Sequence, residues 1–532
     1  MQNSQKKYSI DFYYLFLCLL VISLPFSKYL LSISQFLIFI AWLVSGNLKH
    51  KLTQIVNDKP VLLFTLIYLV HLLGLIYTSD FDYAFKDLRI KLPLLILPVV
   101  ISTSEKLDEK KLKKLLYLFV LAILLSSLYS LGVLLKIDVF FDFFEFIKGR
   151  SIELFDKRDI SVFISHIRLA LLINMGIFIL FYYLYNEKST KLRIVISVLI
   201  AWFIFFLLIL QSLTGLVILF AVALILFIRW IYTMQNLMLK IFTSMIIITG
   251  ILLALSFVDH SIERFYRKEI IDVENLPTQT KQGNVYKHNL KNKQTENSHY
   301  VWLFICEEEL EKEWNERSNY LYSGKDKKGN QIQYTIIRYL TSKGLKKDST
   351  GISKLTKKDI TNIEKGLSNY QFEKKIALYP KLYQVIWEID LYLKGGNPSG
   401  HSIIQRFEYL KTAVKIIGDH PVIGVGTGDV QKAYDEKYEE IDSKLEKKWR
   451  LRAHNQFVTF MVTFGILGFI IIMIAVFYPV YIHRKELHYF FMVFILIAVL
   501  SMMNEDTLET QAGVTFFSFF YSLFLFGIKR KT

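Results

Sequence analysis

A chain of 532 residues with 53% hydrophobic and 15% aromatic residues is too apolar for an ordinary soluble enzyme, because soluble domains carry about 45–50% apolar residues, dispersed by helix or strand periodicity. The net charge of +17 invites a nucleic-acid partner, but the lysines and arginines cluster between apolar blocks, the pattern that fixes membrane orientation. Two cysteines, Cys18 in an apolar block and Cys306 in a hydrophilic stretch, argue against a disulfide framework or a thiolate metal site.

The expected fold is all-α: a polytopic bundle of transmembrane helices. Apolar blocks of roughly 17–25 residues cross a hydrocarbon core about 30 Å thick, and in lipid only a helix satisfies its own backbone there. In chain order the blocks lie at roughly 10–26, 29–46, 60–78, 88–103, 113–135, 163–185, 192–211, 213–233, 239–258, 454–482, 488–503 and 510–528, which makes about twelve spans. Lys6 and Lys7 ahead of the first block imitate a signal peptide. No A-x-A-like site follows, so a retained first helix is expected, turned into the second at Pro25.

Basic residues assign the sides. Lys6, Lys7, Lys49, Lys51, Lys59, Lys110, Lys111, Lys113, Lys114, Lys188, Lys191, Arg193, Arg229, Lys240, Arg484, Lys485, Lys529, Arg530 and Lys531 all fall on one side under a twelve-span count. That side is expected to be cytoplasmic. The expected organisation is nine spans over 1–258, a large outer loop domain over 259–453, and three spans with a cytoplasmic tail over 454–532.

Within the large loop, Thr356-Lys-Lys-Asp359 reads as a capping box opening a helix near 357–368. The region 279–350, rich in Lys, Asn, Gln and Gly, reads as short helices and loops. Ile403, Phe407, Leu410, Val414 and Ile417 recur at helical spacing and define one apolar face, and Gly418 and Pro421 stop that helix.

Three features converge at the end of this loop. Arg406 rides on the amphipathic helix. The run Pro421-Val-Ile-Gly424-Val-Gly426-Thr-Gly428-Asp429 is a glycine-rich turn, either a place of close chain approach or an anion contact. It is not set in a βαβ unit and lacks a Walker lysine, so a nucleotide site is not expected. Arg450-Leu-Arg452-Ala-His454-Asn455-Gln456 then leads into the tenth span. Arg450 and Arg452 should disfavour protonation of His454, leaving a neutral imidazole able to accept a proton near pH 7. Elsewhere on the outer side, Arg168, Arg89 and Lys91 stand at span mouths, where a cation either snorkels or contacts an anionic head group. Glu505, Asp506 and Glu509 read as a solvated loop, with orientation of a cation or acceptor sugar as the sharper alternative.

The order Arg406…Pro421-x-x-Gly424-x-Gly426-x-Gly428…His454-Asn455, followed by Phe464-Gly465-Ile-Leu-Gly468 in an apolar helix, resembles the O-antigen ligase family. Asn297–Gly400 and the run Asn397-Pro-Ser-Gly-His-Ser402 resemble loops of its Bacteroidetes-type branch. The resemblance implies a bacterial inner-membrane enzyme with a periplasmic loop. It would move an undecaprenyl-pyrophosphate-linked glycan onto an acceptor, lipid A–core foremost, with no nucleotide sugar, metal or other cofactor. It further implies His454 as the base, and Arg406 and Arg168 on the donor pyrophosphate, with Arg450, Arg452 and Arg89 as further contacts. Many family members carry a Ser-Arg pair where this chain reads Gln211-Ser212-Leu213-Thr214-Gly215 without arginine. An O-antigen polymerase and a protein O-glycan ligase are alternatives within the class. Outside it stands a transporter or flippase, which would carry ionisable groups near the bilayer midplane and inverted repeats, neither of which is seen.

Overall fold

A computed structural model describes the whole chain except residues 1, 149–150, 153–156, 374–377 and 530–532. Arg530, Lys531 and the side chains of Lys6 and Lys7 lie outside the described residues. The chain is mostly helical. Among the described residues the paired strands are Thr295–Glu296 and His299–Tyr300, antiparallel with Thr295 opposite Tyr300.

Seven described helices are long and apolar enough to cross a membrane: Lys59–Tyr77, Glu109–Leu134, His166–Asn186, Thr190–Leu210, Leu213–Thr233, Leu237–Tyr266 and Gln456–Ile482. The pair Lys28–Val44 and Leu48–Asn57, bent by 110°, makes eight if taken as one span. Other apolar blocks form shorter helices, Phe12–Ser23, Tyr489–Met502 and Gln511–Phe526. The block expected at 88–103 is divided between Phe81–Lys91 and Pro93–Thr103. Pro93 has no N–H to continue a ladder and favours a first helical turn, so it opens a second helix there.

The helices form two compact units, 1–232 with 405–532, and 233–404. In the first, Gln511–Phe526 is buried along almost its whole length, with Phe517, Phe520 and Tyr521 fully covered. In lipid, apolar association gains little from excluding water, so packing and interhelical hydrogen bonds must hold the bundle. Ser518 donates to the Pro93 carbonyl at 2.6 Å and Tyr521 to the Val476 carbonyl at 2.8 Å. Phe64 stacks on Tyr521 with ring centroids 4.2 Å apart.

The glycine-rich turn is an interlock between two spans. Helix Gln456–Ile482 breaks at Gly465, whose φ of 58° and ψ of −165° lie outside the helical range. Across that break the Ile466 and Leu467 amides donate to the carbonyls of Pro421 and Val422, and the amides of Val425 and Gly426 donate to those of Val462 and Thr463. On the other side the Thr427 hydroxyl donates to the His71 carbonyl at 2.6 Å and the Gly428 amide to Thr78 Oγ1 at 2.8 Å. Irregular backbone beside apolar helices is tolerated where its polar groups find protein partners in this way. A Cβ at Gly428 would fall inside van der Waals contact of the Asp80 carbonyl, so only glycine fits.

The helix expected at 403–417 spans Ser402–Asp419, but its apolar stripe is not the covered face. Phe407, Leu410 and Val414 are exposed, whereas Ile404, Tyr409, Ala413 and Ile416 are buried. The stripe is real, but hydropathy alone does not say which face meets protein, because a membrane protein also carries apolar surface outward.

The unit 233–404 holds the helix Leu237–Tyr266 and a separate small core around Trp314, Ile336, Tyr339 and Leu340. Its capping box is present: Thr356 Oγ1 accepts from the Asp359 amide while the Asp359 carboxylate accepts from the Thr356 amide. The helix it opens stops at Glu364, short of the expected 368, because Gly366 takes a left-handed turn with φ of 75°.

Candidate active site

Local folding puts a polar cluster around the loop 503–510, between helices Tyr489–Met502 and Gln511–Phe526. The Leu508 amide donates to Gln456 Oε1 at 2.7 Å, Asn455 Nδ2 to the Met503 carbonyl at 2.8 Å, and Thr459 Oγ1 to Asp506 at 2.7 Å. Asn455 also caps helix Gln456–Ile482, its Oδ1 accepting from the amides of Phe457 and Val458. These bonds fix the acidic tip against the start of that helix.

Arg406 and His454 meet at Glu505. Arg406 donates to Asn504 Oδ1 at 2.6 Å and to Glu505 Oε1 at 3.0 Å. His454 Nδ1 lies 3.9 Å from Glu505 Oε2, too long for a hydrogen bond but within ion-pair reach of a protonated ring. His454 has φ of 48°, a left-handed conformation costing about 1–3 kcal/mol in a non-glycine residue and concentrated at functional sites. Its ring centroid is 5.6 Å from that of Tyr409, whose hydroxyl is buried and without a partner among the described residues.

Two further arginines complete the ring. Arg168 donates to Thr510 Oγ1 and to the Asp506 carbonyl, each at 3.1 Å. Arg452 reaches Tyr83 Oη and lies 3.5 Å from Glu509, which also accepts from Lys91 at 3.0 Å. Lys91 is buried and additionally bound to Asp87 at 2.5 Å. The remaining expected contacts sit elsewhere. Arg450 is held by Glu439 and the Leu445 carbonyl. Arg89 is exposed, with no ion pair to these acids. Where the Ser-Arg pair was missing, Ser212 caps the next helix through the Gly215 amide, and Thr214 accepts from Asn504 Nδ2 at 3.5 Å.

The electrostatics follow from this geometry. Burial holds His454 below the ordinary histidine range, Arg406 and Arg168 push the same way, and Glu505 opposes them. The cations responsible are therefore not Arg450 and Arg452, as sequence proximity implied. Burial raises Glu505 against the pull of Arg406, and lifts Asp506 to about 6 with help from Glu509. Glu509 goes the other way, because Lys91 and Arg452 outweigh its burial.

The loop acids are the residues that sequence reasoning undervalued. Glu505 is 7% exposed, not a solvated side chain. The signal was the run Asn504-Glu505-Asp506 pressed between two apolar blocks, where acids without a basic neighbour in sequence must find partners in space. The amides of Gly424, Gly426 and Gly428 are all taken by protein acceptors.

The structure is thus that of a helical membrane protein with an imidazole, carboxylates and several guanidinium groups gathered at the ends of its helices. Residues 374–473 match the family model for O-antigen ligase, so this stretch, which contains Arg406, the glycine turn and His454, carries the domain of that family, and the resemblance read from the motif holds. That domain marks an O-antigen ligase or polymerase type of glycan ligase. No curated protein matches the chain.

Proposed function

We propose that the protein is a metal-independent, inverting glycan ligase of the bacterial inner membrane, transferring an undecaprenyl-pyrophosphate-linked saccharide to lipid A–core. The observation that carries this reading is the meeting of Arg406 and His454 at Glu505. A hydroxyl of the acceptor attacks the anomeric carbon of the donor sugar while its proton passes to His454 Nε2, the ring nitrogen facing away from Glu505. The bond from that carbon to the pyrophosphate oxygen breaks from the opposite face, so the configuration inverts. Glu505, 3.9 Å from Nδ1, stabilises the imidazolium that forms. Pyrophosphate is a good leaving group, and what must be managed is its negative charge. Arg406 is suited to this, since its guanidinium is part-exposed and a planar fork matches phosphate oxygens. Arg168 stands in for the absent Ser-Arg arginine. Lipid-linked saccharide as donor, the periplasmic loop and cytoplasmic termini belong to the same proposal.

The test is the glycolipid profile of a deletion strain, complemented with wild type or with His454→Ala. Accumulated long polymer on the lipid carrier with bare lipid A–core in both deletion and mutant supports the ligase. Accumulated single repeat units would make it a polymerase, and full rescue by the mutant would remove His454 as the base.

A further inference from the structure

Unit 233–404 carries a cleft of about 500 Å3 that the transfer reaction does not use. Arg264 and Arg267, at the outer end of helix Leu237–Tyr266 and just beyond it, line one side. Both are exposed and neither has an acidic partner among the described residues. Arg264 is pre-set instead by the ring of Tyr379, 4.3 Å below its guanidinium. His299 and Lys343 also line the cleft but are already paired, with Glu269 at 2.6 Å and Asp359 at 2.8 Å, so the free positive charge is that of the two arginines; no carboxylate is itself in the lining among the described residues. An unneutralised pair of guanidinium groups over an open cleft is a standing attraction for an anion.

The rest of the lining narrows the ligand. Gln371 is 7% exposed, yet its amide oxygen has no hydrogen-bond partner among the described residues. A buried acceptor left unpaired is destabilising, and a ligand hydroxyl that draws the amide outward satisfies it. Asn297 and Ser298, which also line the cleft, have φ of 49° and 78°, backbone strain of the kind found at binding sites. Tyr370 adds an aromatic ring with a hydroxyl, and the lining has no aliphatic side chain to receive an acyl chain. Guanidinium, amide, hydroxyl and aromatic groups together match a polyhydroxylated anion.

We infer that this cleft is a binding site for an acidic saccharide, one whose sugar rings bear carboxylate or phosphate groups. The inference does not depend on the transfer chemistry, because neither Arg264 nor Gln371 belongs to the Glu505 cluster.

The experiment uses the full chain in phosphatidylcholine nanodiscs and measures binding of an oligogalacturonate by calorimetry, beside a neutral galacto-oligosaccharide of equal length. Wild type is expected to bind the acidic oligomer with an affinity that falls as salt rises, and the neutral one at least tenfold more weakly. The Arg264→Ala/Arg267→Ala double variant should lose at least tenfold in affinity for the acidic oligomer. Gln371→Leu, which removes an unpaired polar atom and so should keep its fold, should lose about threefold. Thermal unfolding of each variant within a few degrees of wild type establishes that the loss is local. Equal binding of both sugars, undiminished binding by the double variant, or no binding by wild type overturns the proposal. Complete displacement of the oligomer in phosphatidylglycerol nanodiscs also overturns it and assigns the cleft to a lipid head group.

Discussion

His454 Nδ1 stands 3.9 Å from one oxygen of Glu505, whose other oxygen takes a hydrogen bond from Arg406 at 3.0 Å. One carboxylate thus links the residue proposed to receive a proton with the residue proposed to receive the leaving group. Its burial makes both links matter, because a charge withdrawn from water depends on its few partners.

His454→Gln keeps a polar side chain but cannot serve as a base, and transfer in a reconstituted assay should fall by about 10²–10⁴-fold. Since burial, Arg406 and Arg168 hold His454 below the ordinary histidine range, the acid limb of the pH–rate profile should lie below that range. Arg406→Gln removes one of those cations and should move the limb to higher pH. A limb that stays put would dissociate the imidazole from the chemistry. The same depression makes folding stability fall as pH drops from the unfolded histidine pKa toward the folded one, because the unfolded chain then binds the extra proton.

Arg406→Lys keeps the charge but loses the fork that spans Asn504 and Glu505. The rate should drop by about tenfold or more, the equivalent of one charge-assisted hydrogen bond of about 1.5–3 kcal/mol. Arg450→Lys, altering a pair with Glu439, should leave the rate within about twofold. Equal losses from the two would argue for a general effect of basic charge.

Asp506, lifted by burial to about 6, is protonated in the folded state where the unfolded chain is ionised. That difference is stabilising at low pH and is lost as pH rises through about 6. Asp506→Asn, which retains an acceptor for Thr459, should therefore melt higher than wild type at pH 8 by at most about 3 kcal/mol, and equally at pH 4. Melting curves at the two pH values decide it, and a variant less stable at pH 8 would mean the carboxylate is needed in its charged form.

Gly465→Ala combines a left-handed φ with a Cβ that collides with the backbone of Val422 and Ile423. A loss of about 2–5 kcal/mol is expected, seen as low yield and early unfolding in detergent. Gly250→Ala, in a helix with nothing within 4 Å of the added methyl, should be neutral or gain up to about 1 kcal/mol.

The membrane helices and the motif were readable from the sequence because each depends on local properties, namely length without charge and residue order. The acidic tip was not, since the burial of Glu505 depends on Arg406, a residue 99 positions away. The source of the His454 shift escaped for the same reason: Arg452, two residues distant, points to Glu509 and Tyr83, while Arg168 arrives from another helix. The stripe Phe407, Leu410 and Val414 shows the converse. Its period predicted a helix, but amphipathicity in a membrane protein does not tell protein-facing from outward-facing surface.

The interlock at Gly428 and Thr78 joins positions 350 residues apart, and that separation is also an interval of time. At a synthesis rate of about 5–20 residues per second, the helix Lys59–Leu73 waits about 20–70 s for the turn that clasps it. Thr510, the partner of Arg168, emerges later still. A growing chain therefore holds Arg168 apart from Thr510, and Arg406 apart from Glu505, until almost all the helices have been made, and the cluster closes in one late step of assembly.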